Sequence, residues 1–191
     1  MVSLKKIDPA PSRICAIDAS TNSIAFAIFD NEKLESVGKL NFSGANVYKK
    51  IHDASVKTQT FFDLYGIPEA VVIEHTVFMN SPKTAADLAL VQGSFLGAMS
   101  LCGVDTIKSI NPIAWQTFLG NPRLTTAEKA NLRASSPERS DSWYKNNERE
   151  FRKKRTINIV NKLYGKRISD NDIADAVGVG YYALNNWFKL S

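Results

Sequence analysis

The sequence predicts an α/β domain in which a five-stranded mixed sheet is covered by helices, and three observations lead there. Three strand-like segments joined by tight turns open the chain, short apolar strands then alternate with helical patterns, and 191 residues at 44% hydrophobic content bury one good core but fall short of two ordinary domains. Residues 1–191 are therefore read as one domain, with residues 123–167 as a basic, largely helical insertion within it.

The elements follow in order. Arg13 to Asp18 (RICAID) is an apolar run ending in an acid, and after the turn-prone Ala-Ser-Thr-Asn comes a second strand, SIAFAIFD. Asp30-Asn31 closes a hairpin onto KLESVGKLNF, whose alternating apolar residues make a third, antiparallel strand. Ile51, Ala54, Thr58, Phe61, Phe62 and Tyr65 form a helical stripe that Gly66-Ile67-Pro68 stops, and AVVIE is a short, wholly apolar fourth strand. Pro82 to Leu101 carries Ala85, Leu88, Ala89, Gln92, Phe95, Leu96 and Met99 on one side of a long helix, and VDTIKSI is a fifth strand. Asn111-Pro112 caps a short helix through Phe118, GNPRLTTAEK reads as loop, and residues 137–163 are mostly helical. A last helix runs from about Asp170 to Asn185 with Ser169 as its N-cap. Hairpins first and crossovers later place the first strand beside the fourth, making Asp18 and Glu74 neighbours.

No stretch reaches the ~18–20 apolar residues of a membrane span, and the N-terminus lacks an apolar signal-peptide core, so a cytoplasmic location is expected. Cys15 and Cys102 stand alone, one in an apolar run and one at a helix end, and are read as reduced. The net charge is +5, but residues 123–167 hold 13 Lys/Arg against 5 Asp/Glu, so the remainder sums to −3. Such asymmetry suits a polyanion, nucleic acid in the simplest case, and is equally the pattern of a solvated helix face. Arg149, Arg152, Lys153, Lys154 and Arg155 crowd into seven residues of this region, with Lys83, Lys108 and Arg123 as further candidates for a DNA track.

The acids point to chemistry. Asp18 follows Ile-Cys-Ala-Ile and Glu74 follows Val-Val-Ile, so each ends a strand that reads as buried on both faces, where a carboxylate is usually paired with a cation or coordinates a metal, a polar strand end or helix-capping acid being the alternative for either one alone. In SDNDIADAVGVGYYAL, the residues Ile173, Ala176, Val177, Gly180 and Leu184 form a core stripe, and Asp172 and Asp175 share the helix face beside it. Asp172 also fits a capping box with Ser169, and Asp170 reads as a cap or dipole partner. Four carboxylates converging without cationic partners call for a divalent ion. Mg²⁺ fits, and two such ions suit phosphodiester hydrolysis. His75 should point away from Glu74's face, and His52 and His75 are read as packed or surface residues.

Four separated motifs, ICAIDASTNSIAFAIFD, VVIEHTVFMNSPKTAADLALVQG, SINPIAWQTFLG and DNDIADAVGVGYYAL, together resemble the RuvC-type Holliday junction resolvases over most of the chain. The resemblance implies an RNase H-like fold, two Mg²⁺ (or Mn²⁺) ions held by Asp18, Glu74, Asp172 and Asp175, and a homodimer that nicks a four-way DNA junction symmetrically. It also implies that Phe78 is a wedge at the junction centre, where a loop phenylalanine folded onto the core is the alternative, and that the 82–101 helix builds the dimer interface. Asp18-Ala19-Ser20 departs from the family's commoner Asp-Pro-Gly, one residue is inserted between Glu74 and Phe78, and the 123–155 region is longer and more basic than in bacterial members. Viral and mitochondrial relatives vary at such places, and a phage origin is consistent with these departures. The rival readings are a nuclease for RNA or RNA–DNA hybrids, a non-catalytic branched-DNA-binding protein, and an actin-like phosphotransferase, the last needing about twice this length and a Gly-rich adenosine motif.

Overall fold

The computed structural model describes residues 10–75 and 81–190. Its elements are β1 (Arg13–Ala19), β2 (Ser23–Asp30), β3 (Lys33–Asn41), α1 (Val47–Tyr65), β4 (Ala70–Glu74), α2 (Pro82–Leu101), β5 (Thr106–Ile110), α3 (Pro112–Phe118), α4 (Thr126–Ser135), α5 (Asp141–Tyr164) and α6 (Asn171–Asn186), followed by a 3₁₀ turn at Trp187–Lys189. The sheet order is β3-β2-β1-β4-β5, with β1 to β3 antiparallel and β1-β4-β5 parallel, as the hairpin-then-crossover pattern predicts. Asn31 and Glu32 close the β2–β3 hairpin with φ of 45° and 66°, the positive values that a two-residue turn needs to match the strand twist.

Strand alternation divides the core in two. Cys15, Ile17, Ile24, Phe26, Val71 and Ile73 pack against α1 and α2, while Ile14, Ala16, Ala25, Ala27, Phe29, Ala70 and Val72 pack against α3, α5 and α6. Cys15 is fully buried and free, with its thiol pushed up to about 12 by that burial, and Cys102 is free as well. No helix among the described residues is long and apolar enough to cross a membrane.

The structure corrects four local expectations. Asp170, not Ser169, is the N-cap of α6, accepting from the Asp172 and Ile173 amides, so no Ser169–Asp172 capping box forms. The stretch read as loop after Gly120 becomes helical from Thr126, where Thr125 and Glu128 form a capping box. That helix buries no residue, so it lacks the apolar stripe by which helices are recognised. In α2 the buried positions are Leu88, Val91, Phe95 and Met99, and Ala89 lies outside. In α6 burial reaches well beyond one stripe: Ala174, Gly178, Val179, Tyr182 and Ala183 are buried too, while Ile173 and Leu184 are only partly covered.

The depth of α6 has a steric origin. A Cβ on Gly180 would lie 2.0 Å from the Phe29 ring and one on Gly178 2.5 Å from Trp115, so the two glycines let the helix press onto β2 and α3. Gly180→Ala should therefore destabilise the protein by roughly 1–3 kcal/mol through overpacking. Urea denaturation followed by circular dichroism checks this, and an unchanged midpoint would refute the close-contact account.

Candidate active site

Asp18 and Glu74 extend the even-numbered rows of β1 and β4, one residue beyond the last paired positions Ile17 and Ile73. Both side chains therefore leave the sheet on the α6 side, the face of Ile14, Ala16, Ala70 and Val72. α6 brings Asp172 and Asp175 to the same place. Each of Asp18, Glu74 and Asp175 feels at least one other acid or its burial strongly. Asp18 is raised well above the usual carboxylate range, first by burial and then by the charges of Glu74, Asp175 and Asp172. Asp175 is pushed up to about 7 by burial, with Glu74 and Asp172 adding to the rise and Thr156 and Arg152 opposing it. Glu74 is raised by burial, against a hydrogen bond from Trp115 and the Arg152 charge.

The expectation of carboxylates without cationic partners is not met. Lys39 Nζ bonds the Asp172 carboxylate and lies 3.2 Å from Asp170 Oδ2. Burial depresses the Lys39 ammonium, but its bonds to Asp172 and Asp170 outweigh that and leave it raised. The sheet register explains its presence, because Asp18 pairs with Ala25 and Ala25 with Lys39, which sets Lys39 in the Asp18 row two strands away. On the other side, Trp115 Nε1 donates to Glu74 Oε2 at 2.6 Å, fixing that carboxylate from α3. Sequence reasoning missed both residues. Lys39 would have been found by counting the hairpin register outward from Asp18, whereas nothing local marks Trp115. Among the described residues no three His, Cys, Asp or Glu side chains are already closed around a metal-sized space. Lys39 and Trp115 hold Asp172 and Glu74 by other bonds, and the like charges repel. The donors nonetheless fit a hard divalent cation: all are carboxylate oxygens, and burial leaves their charge incompletely compensated.

The basic run does not form one free surface. Arg152 on α5 turns inward, bonds Gln116 and sits within electrostatic reach of Asp175 and Glu74, its guanidinium lowered by burial and then by Arg123. Arg155 bonds Glu128 at 2.5 Å and Lys153 bonds Glu150 at 3.3 Å. Arg149 and Lys154 are exposed, as are Lys83 and Arg123. Lys108 is taken up at the C-terminus, donating to the Leu190 carbonyl at 3.0 Å and lying over the Trp187 ring. His52 and His75 are exposed, and Phe78 lies outside the described residues.

No protein-family model matches the sequence and no curated protein is significantly similar to it. Solved structures do match. Thermus thermophilus RuvC in complex with a Holliday junction substrate aligns with a TM-score of 0.63 at 14% identity, over 91% of this chain and 96% of that one. A second Thermus thermophilus RuvC structure gives 0.59 at 14% identity, over 90% and 95%. The yeast mitochondrial Holliday junction resolvase gives 0.50 at 11% identity, over 97% and 83%. At these identities the likeness establishes the fold, which is RNase H-like and of the RuvC arrangement.

The raised acids make a prediction for the metal-free protein. With its pKa near 7 in the fold against 3.8 ordinarily, Asp175 keeps a proton that the unfolded chain releases in between. Stability should fall as pH rises through that window and level off above it. Asp175→Asn should thus be more stable than the parent at about pH 8, with the gap closing toward about pH 4 and Tm moving by roughly 2–4 °C per kcal/mol. Differential scanning calorimetry across pH tests this, and a pH-independent gap would refute it.

Proposed function

We propose that the protein is a metal-dependent DNA endonuclease that resolves four-way junctions and other branched DNA, with Asp18, Glu74, Asp172 and Asp175 as its metal-holding acids. The observation that carries the reading is the gathering of these four carboxylates from two strand ends and one helix onto a single face of an RNase H-like sheet, where burial and mutual repulsion raise Asp18 and Asp175. Mg²⁺ bound there, as two ions with Mn²⁺ as substitute, would supply a nucleophilic water at neutral pH and charge stabilisation for the leaving oxygen.

The chain's own groups prepare the site. Trp115 fixes the direction of Glu74, and Lys39 draws Asp172 toward the Asp170 cap. Thr156 and Arg152 favour the ionised form of Asp175, the form able to hold a cation. The exposed basic residues Arg149, Lys154, Lys83 and Arg123 supply phosphate contacts around this centre. Phe78, which follows β4 closely in sequence, keeps its proposed role as a junction wedge.

Asp18→Asn, Glu74→Gln and Asp175→Asn should each reduce cleavage of a labelled four-way junction by at least about 10³-fold while leaving folding and junction binding largely intact. EDTA should abolish cleavage in the parent protein. Turnover near the parent's in the Asp18 or Glu74 variant would exclude the assignment, and preferential cutting of an RNA–DNA hybrid would favour the related hybrid nuclease.

Two symmetric nicks require two sites related by a two-fold axis, so the working species is proposed to be a homodimer. The outer face of α2 suits the contact: Ala86, Leu90, Gly93, Gly97 and Leu101 lie along it, Leu101 is 91% exposed, and the space over both glycines is open. Light scattering should give twice the chain mass, and Gly97→Arg should shift the protein to monomer. A monomer at micromolar concentration both free and on junction DNA would refute this.

A further inference from the structure

Beside the carboxylates lies a pocket of about 160 Å³ with a different chemistry. Gln116, Asn121, Arg149, Arg152, Lys153, Thr156 and Asp175 line it, so three cations face one acid. It is assembled from four segments: Gln116 from α3, Asn121 from the turn after it, Arg149, Arg152, Lys153 and Thr156 from α5, and Asp175 from α6. Asn121 and Thr156 are almost completely buried, at 2% and 1% exposure, and bond each other at 2.8 Å, while Asn121 Nδ2 also donates to the Arg152 carbonyl at 2.9 Å. This network fixes the α5 turn that carries Arg152.

Two polar atoms here are buried without a hydrogen-bond partner: Arg152 Nε and Asn121 Oδ1. Such groups are costly to leave unpaired, more so when charged, so a fold that retains them in one pocket has a use for them. Arg152 Nε calls for an acceptor and, backed by Arg149 and Lys153, for an anionic one with several oxygens. Asn121 Oδ1 calls for a donor, which a water held by the same anion provides. The ion pair between Lys153 and Glu150 is at the surface and weak enough to yield.

We propose that this pocket is a phosphate subsite that seats the backbone phosphate next to the scissile one on the cleaved strand, with Arg152 as its central donor and Arg149, Lys153 and Gln116 around it. The proposal rests on the nuclease reading for which phosphate is bound, and adds an anchor distinct from the metal-holding acids. Asp175 links the two. A phosphate held by Arg152 lies at the edge of the carboxylate centre without occupying it, so the subsite sets the register of the strand. The guanidinium that tempers Asp175 and Glu74 in the free protein is the one given to DNA on binding.

Two measurements test it independently. Inorganic phosphate titrated into the ¹⁵N-labelled protein at constant ionic strength should shift the Asn121 side-chain amide and the Arg152 Nε–H saturably. Arg152→Gln should abolish the response, and Arg152→Lys should weaken it. In cleavage assays, a single neutral methylphosphonate beside the scissile position should cost the parent roughly 10- to 100-fold in kcat/KM, the worth of a charge-assisted hydrogen bond. The same substitution should cost Arg152→Gln and the Arg149→Gln, Lys153→Gln double variant little further. A parent protein that cuts no junction with Mg²⁺ would sink the nuclease reading, yet the phosphate titration would still decide the pocket. Cleavage with an unchanged methylphosphonate penalty in both variants, or no saturable shift with phosphate, would overturn the subsite.

Discussion

The close seating of α6 against the sheet is the constraint on which the rest depends. Gly178 and Gly180 admit Trp115 and Phe29 where any side chain would collide, and the helix consequently lies against β1, β2 and α3 with little room to slide. Its N-terminal turn is thereby delivered over the open ends of β1 and β4. Acids that would be ordinary surface residues on a looser helix become neighbours of Asp18 and Glu74, and the raised proton affinities of Asp175 and Asp18 follow from that geometry.

Burying like charges costs stability, and the molecule offsets part of the cost with cations borrowed from different layers. Lys39 comes from the far hairpin strand, Arg152 from α5, and the neutral donor Trp115 from α3. Each engages one side of the cluster, and together they leave it short of full compensation. The carboxylates are thus partly desolvated before any partner arrives, and their positions are held by bonds that do not consume all their lone pairs. The orphaned Arg152 Nε and Asn121 Oδ1 show the same economy on the adjoining wall, where polarity is buried ahead of its partner.

The basic segment between α3 and α6 changes character once its contacts are known. As a charge run it resembles a free basic face, but Arg155 bonds the capping residue Glu128, Lys153 makes only a surface pair with Glu150, and Arg152 turns toward the site interior. Arg123, Arg149 and Lys154 are among the cations that the segment leaves exposed. α5 thus faces the candidate site as much as the solvent.

What the sequence by itself determined was set by local periodicity. Alternation and turn chemistry gave the five strands and set β1 beside β4, and helical spacing and caps gave α1, α2, α3 and α6 nearly to their ends, because each signal lies within a few residues. The juxtaposition of Asp18 and Glu74 was legible for the same reason, being a consequence of strand order, whereas the arrival of Asp172 and Asp175 beside them depends on where α6 docks. Only the tertiary structure decided which cations meet them. The hairpin register puts Lys39 in the Asp18 row, but its bond to Asp172, 133 residues away, and that of Trp115 to Glu74, 41 away, cross separations over which no sequence period carries information. The choice of Asp170 over Ser169 as cap, the inward turn of Arg152 and the pocket with its two unpartnered atoms depend likewise on where α3, α5 and α6 settle against one another, which packing alone fixes.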